Sequence, residues 1–169
     1  MTEYRARIGE IIIGKKNDLL GAIALGSCVG IVIYDIRLNI AALAHVALPE
    51  ELFTSHKKTI KNITFPGRYA DTAVVECLRL LKKKEKKGVK RTNLKAKIAG
   101  GSRMFGTKGL LGGGLNIGDR NIKASIENLK ANKIPLEAKD VGGNSSRTIK
   151  FDLANFDLKI KKGVKNYKI

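Results

Sequence analysis

Cys28 and His45 are the residues whose types could support chemistry together. A thiolate is a nucleophile, and an imidazole can take the thiol proton and later return it. The chain holds only 2 cysteines and 2 histidines. They lack the close spacing of metal ligands, such as two cysteines separated by two residues. The sequence therefore predicts no metal and no cofactor, and it leaves a cysteine–histidine pair as the candidate for chemistry.

A β-hairpin would bring these two residues together. Residues 28–34 and 40–48 are apolar runs of strand length, and the stretch between them is typical of a turn. If Ile36 and Arg37 form that turn, Cys28 lies directly opposite His45. Side chains opposed in this way are ~4.5–5.5 Å apart at Cβ, close enough to share a proton. A longer turn would shift the register, and a shift of one residue can move a side chain to the other face.

The residues before Cys28 favour a catalytic interpretation, but a structural one stays open. Gly26 and Ser27 form a turn signal that could leave the backbone N–H of Cys28 free to bind an oxyanion. A paired imidazole would lower the pKa of the Cys28 thiol and populate the thiolate. The alternative is that Cys28 is a small core residue and His45 a buried histidine with its hydrogen bonds satisfied. Spacing alone does not decide between the two.

The rest of the chain must supply the elements that position this pair. Strands are predicted over residues 11–13, 19–25, 28–34, 40–48, 94–99, 136–139, 148–153 and 156–161. Helical spacing predicts one helix over 67–87, with Cys77 in the core and Gly88 as its stop, and a second over 118–132, capped by Asn116 or Asp119. The glycine-dense stretch 106–118 predicts a surface loop. No repeat or linker divides the chain, so we expect a single domain over residues 1–169, of α+β class.

The strongly basic composition suggests a rival function. The 169 residues are 43% hydrophobic with 3 prolines, which is typical of a folded protein, and the formal net charge is +18. Such a charge is the electrostatic footprint of a nucleic-acid binder. Aromatic residues are only 5% and tryptophan is absent, however, so few side chains could stack on bases. Attraction to acidic proteins would use the same charge, so the charge alone does not require a nucleic acid. For both reasons we expect no nucleic-acid partner.

No targeting or membrane signal is found. The first residues lack the apolar segment of a signal peptide, and the longest uncharged window, residues 19–34, is too short and too rich in glycine for a span of ~20 residues. We therefore expect a cytoplasmic protein without membrane insertion. Its two cysteines should remain separate thiols, since the cytosol is reducing.

Several separated motifs resemble the chemoreceptor glutamine deamidases of the CheD family. Two of them hold the candidate pair, Leu-Gly-Ser-Cys-Val at 25–29 and Ala-His-Val-Ala-Leu-Pro at 44–49. The others are residues 67–73, residues 97–101 with Met104 and Phe105, residues 115–118 with Arg120 and Asn121, and residues 142–144 with Arg147. The resemblance spans nearly the whole chain in order.

This resemblance implies a fold, an activity and a site. The fold would be similar to the toxin-type cysteine deamidases, with layered mixed β-sheets flanked by helices. The activity would be that of a protein-glutamine glutaminase, which converts receptor glutamines to glutamate, with a possible side activity on glutamate methyl esters. Cys28 would be the nucleophile and His45 the general base and acid, while Gly26 and Ser27 would shape the oxyanion site.

The resemblance also implies partners and one departure from the family pattern. The partners would be the cytoplasmic helices of chemoreceptors and a CheC-type phosphatase. Phe105 is a candidate contact with them, although it could equally be a core residue. The family has a threonine six positions before the cysteine, where this chain has Ala22. A backbone carbonyl or a water must then hold His45, or the activity is weakened. A non-catalytic adaptor that binds receptors or the phosphatase is therefore the alternative function.

Overall fold

The computed structural model describes residues 1–50, 65–85, 88–104 and 116–169, and two mixed β-sheets are its largest regular part. The strands are β1 (Glu3–Arg5), β2 (Ile11–Lys15), β3 (Leu19–Leu25), β4 (Val29–Asp35), β5 (Ile40–Val46), β6 (Leu94–Gly100), β7 (Leu136–Val141), β8 (Arg147–Asp152), β9 (Asp157–Lys162) and β10 (Lys165–Lys168). The helices are α1 (Ala70–Lys84) and α2 (Ile117–Ala131). The first sheet has the order β1-β3-β8-β9-β10 and the second β2-β5-β4-β6-β7. The predicted α+β class is confirmed.

Strands β4 and β5 lie at the centre of the layered structure. Every residue of both strands is buried, as their nearly continuous apolar runs predict. Alternate residues such as Ile31 pack on the side of α1 and α2, whereas their neighbours such as Val32 pack against the first sheet. The layers are thus the first sheet, the second sheet and the helices, which confirms the predicted arrangement. The similarity to toxin-type deamidases stays a prediction.

The β4–β5 hairpin differs from the prediction in its register. Asp35 pairs with Ile40, so residues 36–39 form the turn, and Gly30 rather than Cys28 lies opposite His45. The cause is the side chain of Asp35, whose Oδ1 accepts hydrogen bonds from the N–H groups of Arg37 (2.9 Å) and Leu38 (3.0 Å). An aspartate that closes a turn in this way favours a longer connection than the two-residue one. The predicted direct opposition of Cys28 and His45 is therefore wrong.

Both helices are present, with ends that differ in detail from the prediction. Helix α1 begins at Ala70 because Pro66–Arg68 forms a 3-10 turn, and it ends at Lys84, before Gly88. Cys77 is fully buried in it, as predicted. Helix α2 is capped by Asn116, whose side chain accepts a hydrogen bond from the N–H of Asp119 at 3.0 Å. Neither α1 nor α2, the α-helices of the described ranges, is long and apolar enough to cross a membrane.

Two edge strands were not predicted. The residues of β1 and β10 are all exposed, so neither strand shows the apolar alternation that marks a strand in a sequence. Strand β1 pairs in parallel with β3, and β10 pairs with β9. Most of the loop predicted over residues 106–118 lies outside the described residues.

The two sheets are held together by an aromatic cluster, which can be tested by truncation. Phe151 is fully buried and its ring centroid is 4.9 Å from that of Tyr34. Because Phe151→Ala leaves a cavity between the sheets, we expect it to lower the free energy of unfolding by about 3–5 kcal/mol. Val164→Ala, at a residue that is 97% exposed, should change it by less than about 0.5 kcal/mol. Urea denaturation measures both, and equal effects would contradict this account of the core.

Candidate active site

His45 is oriented by a backbone carbonyl. It lies near the end of β5, on the face that meets the first sheet, and it is buried. Its Nδ1 is 3.2 Å from the carbonyl oxygen of Ala6. Since a carbonyl only accepts, the neutral imidazole carries its proton on Nδ1 and donates it to Ala6. Nε2 is left as the basic nitrogen, and it is buried with no hydrogen-bond partner among the described residues.

Cys28 lies on the same face of the second sheet as His45. It precedes β4 by one residue, is half-buried and packs against the core between the sheets. Continuing the observed register by one step places Cys28 diagonally beside His45 rather than across from it. Diagonal neighbours are ~7–8 Å apart at the backbone, within reach of longer side chains. The shift of two residues therefore preserves the shared face, although no hydrogen bond joins the two side chains in the described structure.

The segment that carries Cys28 is fixed through its backbone. Three successive carbonyl oxygens, those of residues 26–28, each accept a hydrogen bond. The donors are the N–H of Ser102 to Gly26 (2.7 Å), the side-chain amide of Asn121 to Ser27 (2.9 Å) and the N–H of Gly101 to Cys28 (2.7 Å). Within the described ranges no hydrogen bond uses the N–H of Cys28. The segment thus has fixed peptide orientations, and the N–H of Cys28 is a donor that no described residue engages.

Asn121 joins this segment to the strand of His45. Its Nδ2 donates to the carbonyl of Ser27 and to that of Ala47, each at 2.9 Å. The side chain is fully buried, at the point where the pairing of β4 with β5 ends at Val29 and Val46. Asn121 therefore continues the connection between the two strands beyond their last backbone pair.

Gly100 and Arg147 hold the neighbouring segment in place. Gly100 has φ +121°, and a Cβ on it would lie 2.2 Å from the carbonyl oxygen of Cys28, so only glycine fits here. Arg147 is buried and ion-paired with Asp140 at 2.9 Å, and its Nη1 donates to Ser102 Oγ at 2.8 Å. Buried charge of this kind is stable only when paired and hydrogen-bonded. Arg147 thus anchors the residues that bind the Cys28 segment.

Burial sets the protonation states of the pair. It raises the pKa of the Cys28 thiol. Burial also lowers the pKa of His45, and the hydrogen bond to Ala6 and the charge of Glu10 offset this only in part. Both groups are therefore neutral at neutral pH, a thiol beside an imidazole. The predicted lowering of the Cys28 pKa is wrong, because an imidazole that is itself neutral cannot stabilise a thiolate by its charge.

The other predicted positions are distributed around the pair. Gly26 lies under Met104, whose side-chain atoms would be 3.0 Å from a Cβ at this position, and Ser27 is half-buried. Ala22 is fully buried in the core between the sheets. The carbonyl of Ala6 is thus the group that holds His45, one of the two substitutes expected. Phe105 lies outside the described residues.

Sequence reasoning assigned no role to Ala6, Asn121 or Arg147. The last two stand in motifs that carry the family resemblance, so a signal existed for them, but it did not reveal what they contact. The carbonyl of Ala6 left no signal, because every residue type supplies one.

Comparison with known proteins shows what this chain is similar to. The family model described as "CheD chemotactic sensory transduction" matches residues 47–162. A "Probable chemoreceptor glutamine deamidase CheD" of Clostridium botulinum strain Eklund 17B is 39% identical over 153 residues, which cover 89% of this chain and 87% of that protein. The protein of the same description from strain Hall is 39% identical over 161 residues, 94% of this chain and 92% of that protein.

The two thiols should differ in their reactivity. Iodoacetamide should modify Cys28 alone in the native protein, because Cys77 is fully buried, and both thiols in urea. Since the pKa of Cys28 is raised, its alkylation rate should climb about tenfold per pH unit from neutral to pH ~9. Intact-mass measurements follow both reactions. A rate that is independent of pH in this range would instead indicate a thiolate–imidazolium pair.

The connection made by Asn121 can be broken without touching Cys28 or His45. Asn121→Ala leaves two carbonyls without their donor, so we expect it to lower the free energy of unfolding by about 1–3 kcal/mol. It should also change the alkylation rate of Cys28. The matched control is Asn128→Ala on the same helix, whose Nδ2 bonds only the carbonyl of Ala124 within α2. An Asn121→Ala protein with the thiol reactivity of Asn128→Ala would contradict a positioning role.

Proposed function

Since the chain belongs to the CheD family, we propose that it is a cysteine-dependent protein-glutamine deamidase that acts on chemoreceptors in chemotaxis. One observation supports this proposal above the others. Cys28 lies on the same sheet face as His45, whose Nδ1 is engaged by Ala6 and whose Nε2 is left without a partner among the described residues. A thiol beside an oriented, neutral imidazole is the arrangement that general-base activation of a cysteine requires.

The first half of the reaction forms a thioester. As the Cys28 sulfur attacks the carboxamide carbon of a glutamine, its proton moves to Nε2 of His45. The negative charge that develops on the carboxamide oxygen is stabilised by the backbone N–H of Cys28, which no described residue engages, in the segment that Gly26 and Ser27 shape. His45 then returns the proton to the departing nitrogen, the C–N bond breaks, and ammonia leaves.

The second half hydrolyses the thioester. A water molecule gives a proton to Nε2 of His45 as its oxygen attacks the thioester carbon. The C–S bond breaks, the proton returns to the sulfur, and the product is a glutamate side chain. Because His45 keeps its other proton on Nδ1, bonded to Ala6, the ring does not need to rotate between the two halves.

The substrate glutamines lie on the cytoplasmic helices of chemoreceptors, so the protein works in the cytoplasm. The formal net charge of +18 favours association with acidic helices, since it raises the rate of encounter with negative surfaces. Glutamate methyl esters present the same carbonyl with a better leaving group. A methylesterase activity at the same site therefore belongs to this proposal, and methanol release from a methylated receptor tests it.

A binding role towards a CheC-type phosphatase is a further part of the proposal, and the pure adaptor is its alternative. The adaptor interpretation draws its support from Ala22, which stands where the family has a threonine. The carbonyl of Ala6 weakens that support, because His45 is oriented without a threonine. Catalysis is therefore the better-supported function.

Deamidation of a receptor fragment tests the proposal. The wild-type protein should convert glutamine to glutamate in a chemoreceptor cytoplasmic fragment, read by peptide mass mapping and by ammonia release. Cys28→Ala should abolish the reaction, and His45→Asn should lower kcat about 100- to 10,000-fold because the general base is lost.

Cys77→Ala is the matched control, since it removes the other thiol from the core of α1 and should leave deamidation in place. Equal conversion by wild type and Cys28→Ala would refute the nucleophile. A receptor that binds the protein but is modified by neither would establish the adaptor instead.

A further inference from the structure

A groove lies beside His45. It has a volume of 750 Å³ and lies between the chain that follows β1 and the end of β3. Its lining consists of residues 5–8, Ile23, Ala24 and His45. A cavity of this size is in the range of binding sites for small ligands or side chains. It adjoins the imidazole that the proposed reaction uses, so whatever fills it lies next to the reacting atoms.

The walls of the groove are apolar. Ile8 is 57% exposed and Ile23 is 50% exposed, although both are large aliphatic residues. Ile23 is exposed because β3 has a bulge where its pairing with β8 shifts between Ala22 and Leu25, and Ala24 adopts φ +55° there. Bulges and left-handed non-glycine residues of this kind are common next to functional sites, where they redirect a side chain. The bulge thus turns an isoleucine out of the core and into the groove.

The rim of the groove is cationic. Arg5 is paired with Glu3 at 3.1 Å, which leaves it partly neutralised. Arg7 uses its backbone N–H to bind Glu10, but its guanidinium has no ion pair or hydrogen bond with any residue that the structure describes. None of the described residues that line the groove carries a carboxylate. Glu10 lies close by, but its carboxylate accepts the backbone N–H of Arg7 at 2.8 Å and forms no ion pair with the guanidinium, which is left to meet a carboxylate brought into the groove.

We propose that this groove selects which glutamines are modified: it binds the helix surface around the target, with Arg7 pairing to a carboxylate about one turn from the glutamine. Ile8 and Ile23 contact alkyl side chains on the same face. The proposal rests on the proposed function, in which the substrate is a receptor helix. A glutamine that points at His45 shares its helix face with the residues three and four positions away, so these are the ones that reach the groove.

The consequence is a charge rule for substrate choice. A glutamate or aspartate four residues from the glutamine strengthens binding through Arg7. A lysine or arginine there meets a like charge and is rejected, which gives specificity by repulsion as well as by attraction. Because the contact precedes chemistry and remains through it, it changes KM more than kcat.

Helical peptides with one glutamine test this rule. They differ only at the residues four positions before and after it, which are Glu, Ala or Lys. Wild-type kcat/KM should fall from Glu to Ala to Lys, by about two- to fivefold at each step, the usual size of an exposed ion pair. Arg7→Glu should reverse the order. The matched control is Arg37→Glu, the same charge change in the turn at the opposite end of the β4–β5 hairpin, which should keep the wild-type order.

The apolar walls have a separate test. Ile23→Ser should raise KM for every peptide, whereas Val75→Ser, at an exposed position on α1, should not. An order that is unchanged in Arg7→Glu, or reversed equally in Arg37→Glu, would overturn the charge rule while deamidation itself stands. If wild type modifies neither these peptides nor the receptor fragment, the proposed function fails instead. The groove is then judged by binding to the Cys28→Ala protein, where a Glu peptide that binds no tighter than the Lys peptide refutes it.

Discussion

Three hydrogen bonds to backbone carbonyls hold the site together, those to Gly26 and Cys28 from backbone N–H groups and that to Ser27 from the side chain of Asn121. Each donor comes from a different part of the chain than the acceptor, from the two residues after β6 or from α2. Residues 26–28 therefore lie where the second sheet, the residues that follow β6 and helix α2 meet. Their conformation follows from the packing of these elements, and a short irregular segment gains the rigidity that strands normally have.

The sequence predicts the scaffold better than the register. The apolar runs of β4 and β5 and the helical spacing around Cys77 identify these elements because hydrophobic periodicity reflects burial directly. The hairpin register depended on one side chain, that of Asp35, which closes a longer turn than the spacing suggests. Strands β1 and β10 escaped prediction because exposed edge strands need not alternate in hydrophobicity. The pair itself could be placed on one face, since a shift of two residues preserves the side of a strand.

The electrostatics of the pair could not be obtained from the sequence, since they depend on burial and not on residue type. The predicted pairing suggested an imidazole that lowers the pKa of the Cys28 thiol and populates the thiolate, whereas burial favours the neutral forms of both Cys28 and His45. In the resting protein both side chains are uncharged. The thiolate and the imidazolium form only when the proton moves from Cys28 to His45. Such a site is also less reactive towards soluble electrophiles, because the thiolate is the reactive species. The choice of substrate then depends on which molecules the groove beside His45 binds close to the sulfur of Cys28.

The contact between His45 and Ala6 places the group that orients the imidazole in the main chain. A side chain that orients a histidine can be lost by a single base change, but a backbone carbonyl is present whatever residue occupies position 6. What would remove it is a change in the path of the backbone, such as an insertion or deletion between β1 and β2. Such a site tolerates drift in the identity of its orienting residue while it is sensitive to the length of a connection. In an alignment of related sequences, this dependence would appear as a constant length between β1 and β2, and not as a conserved residue at position 6.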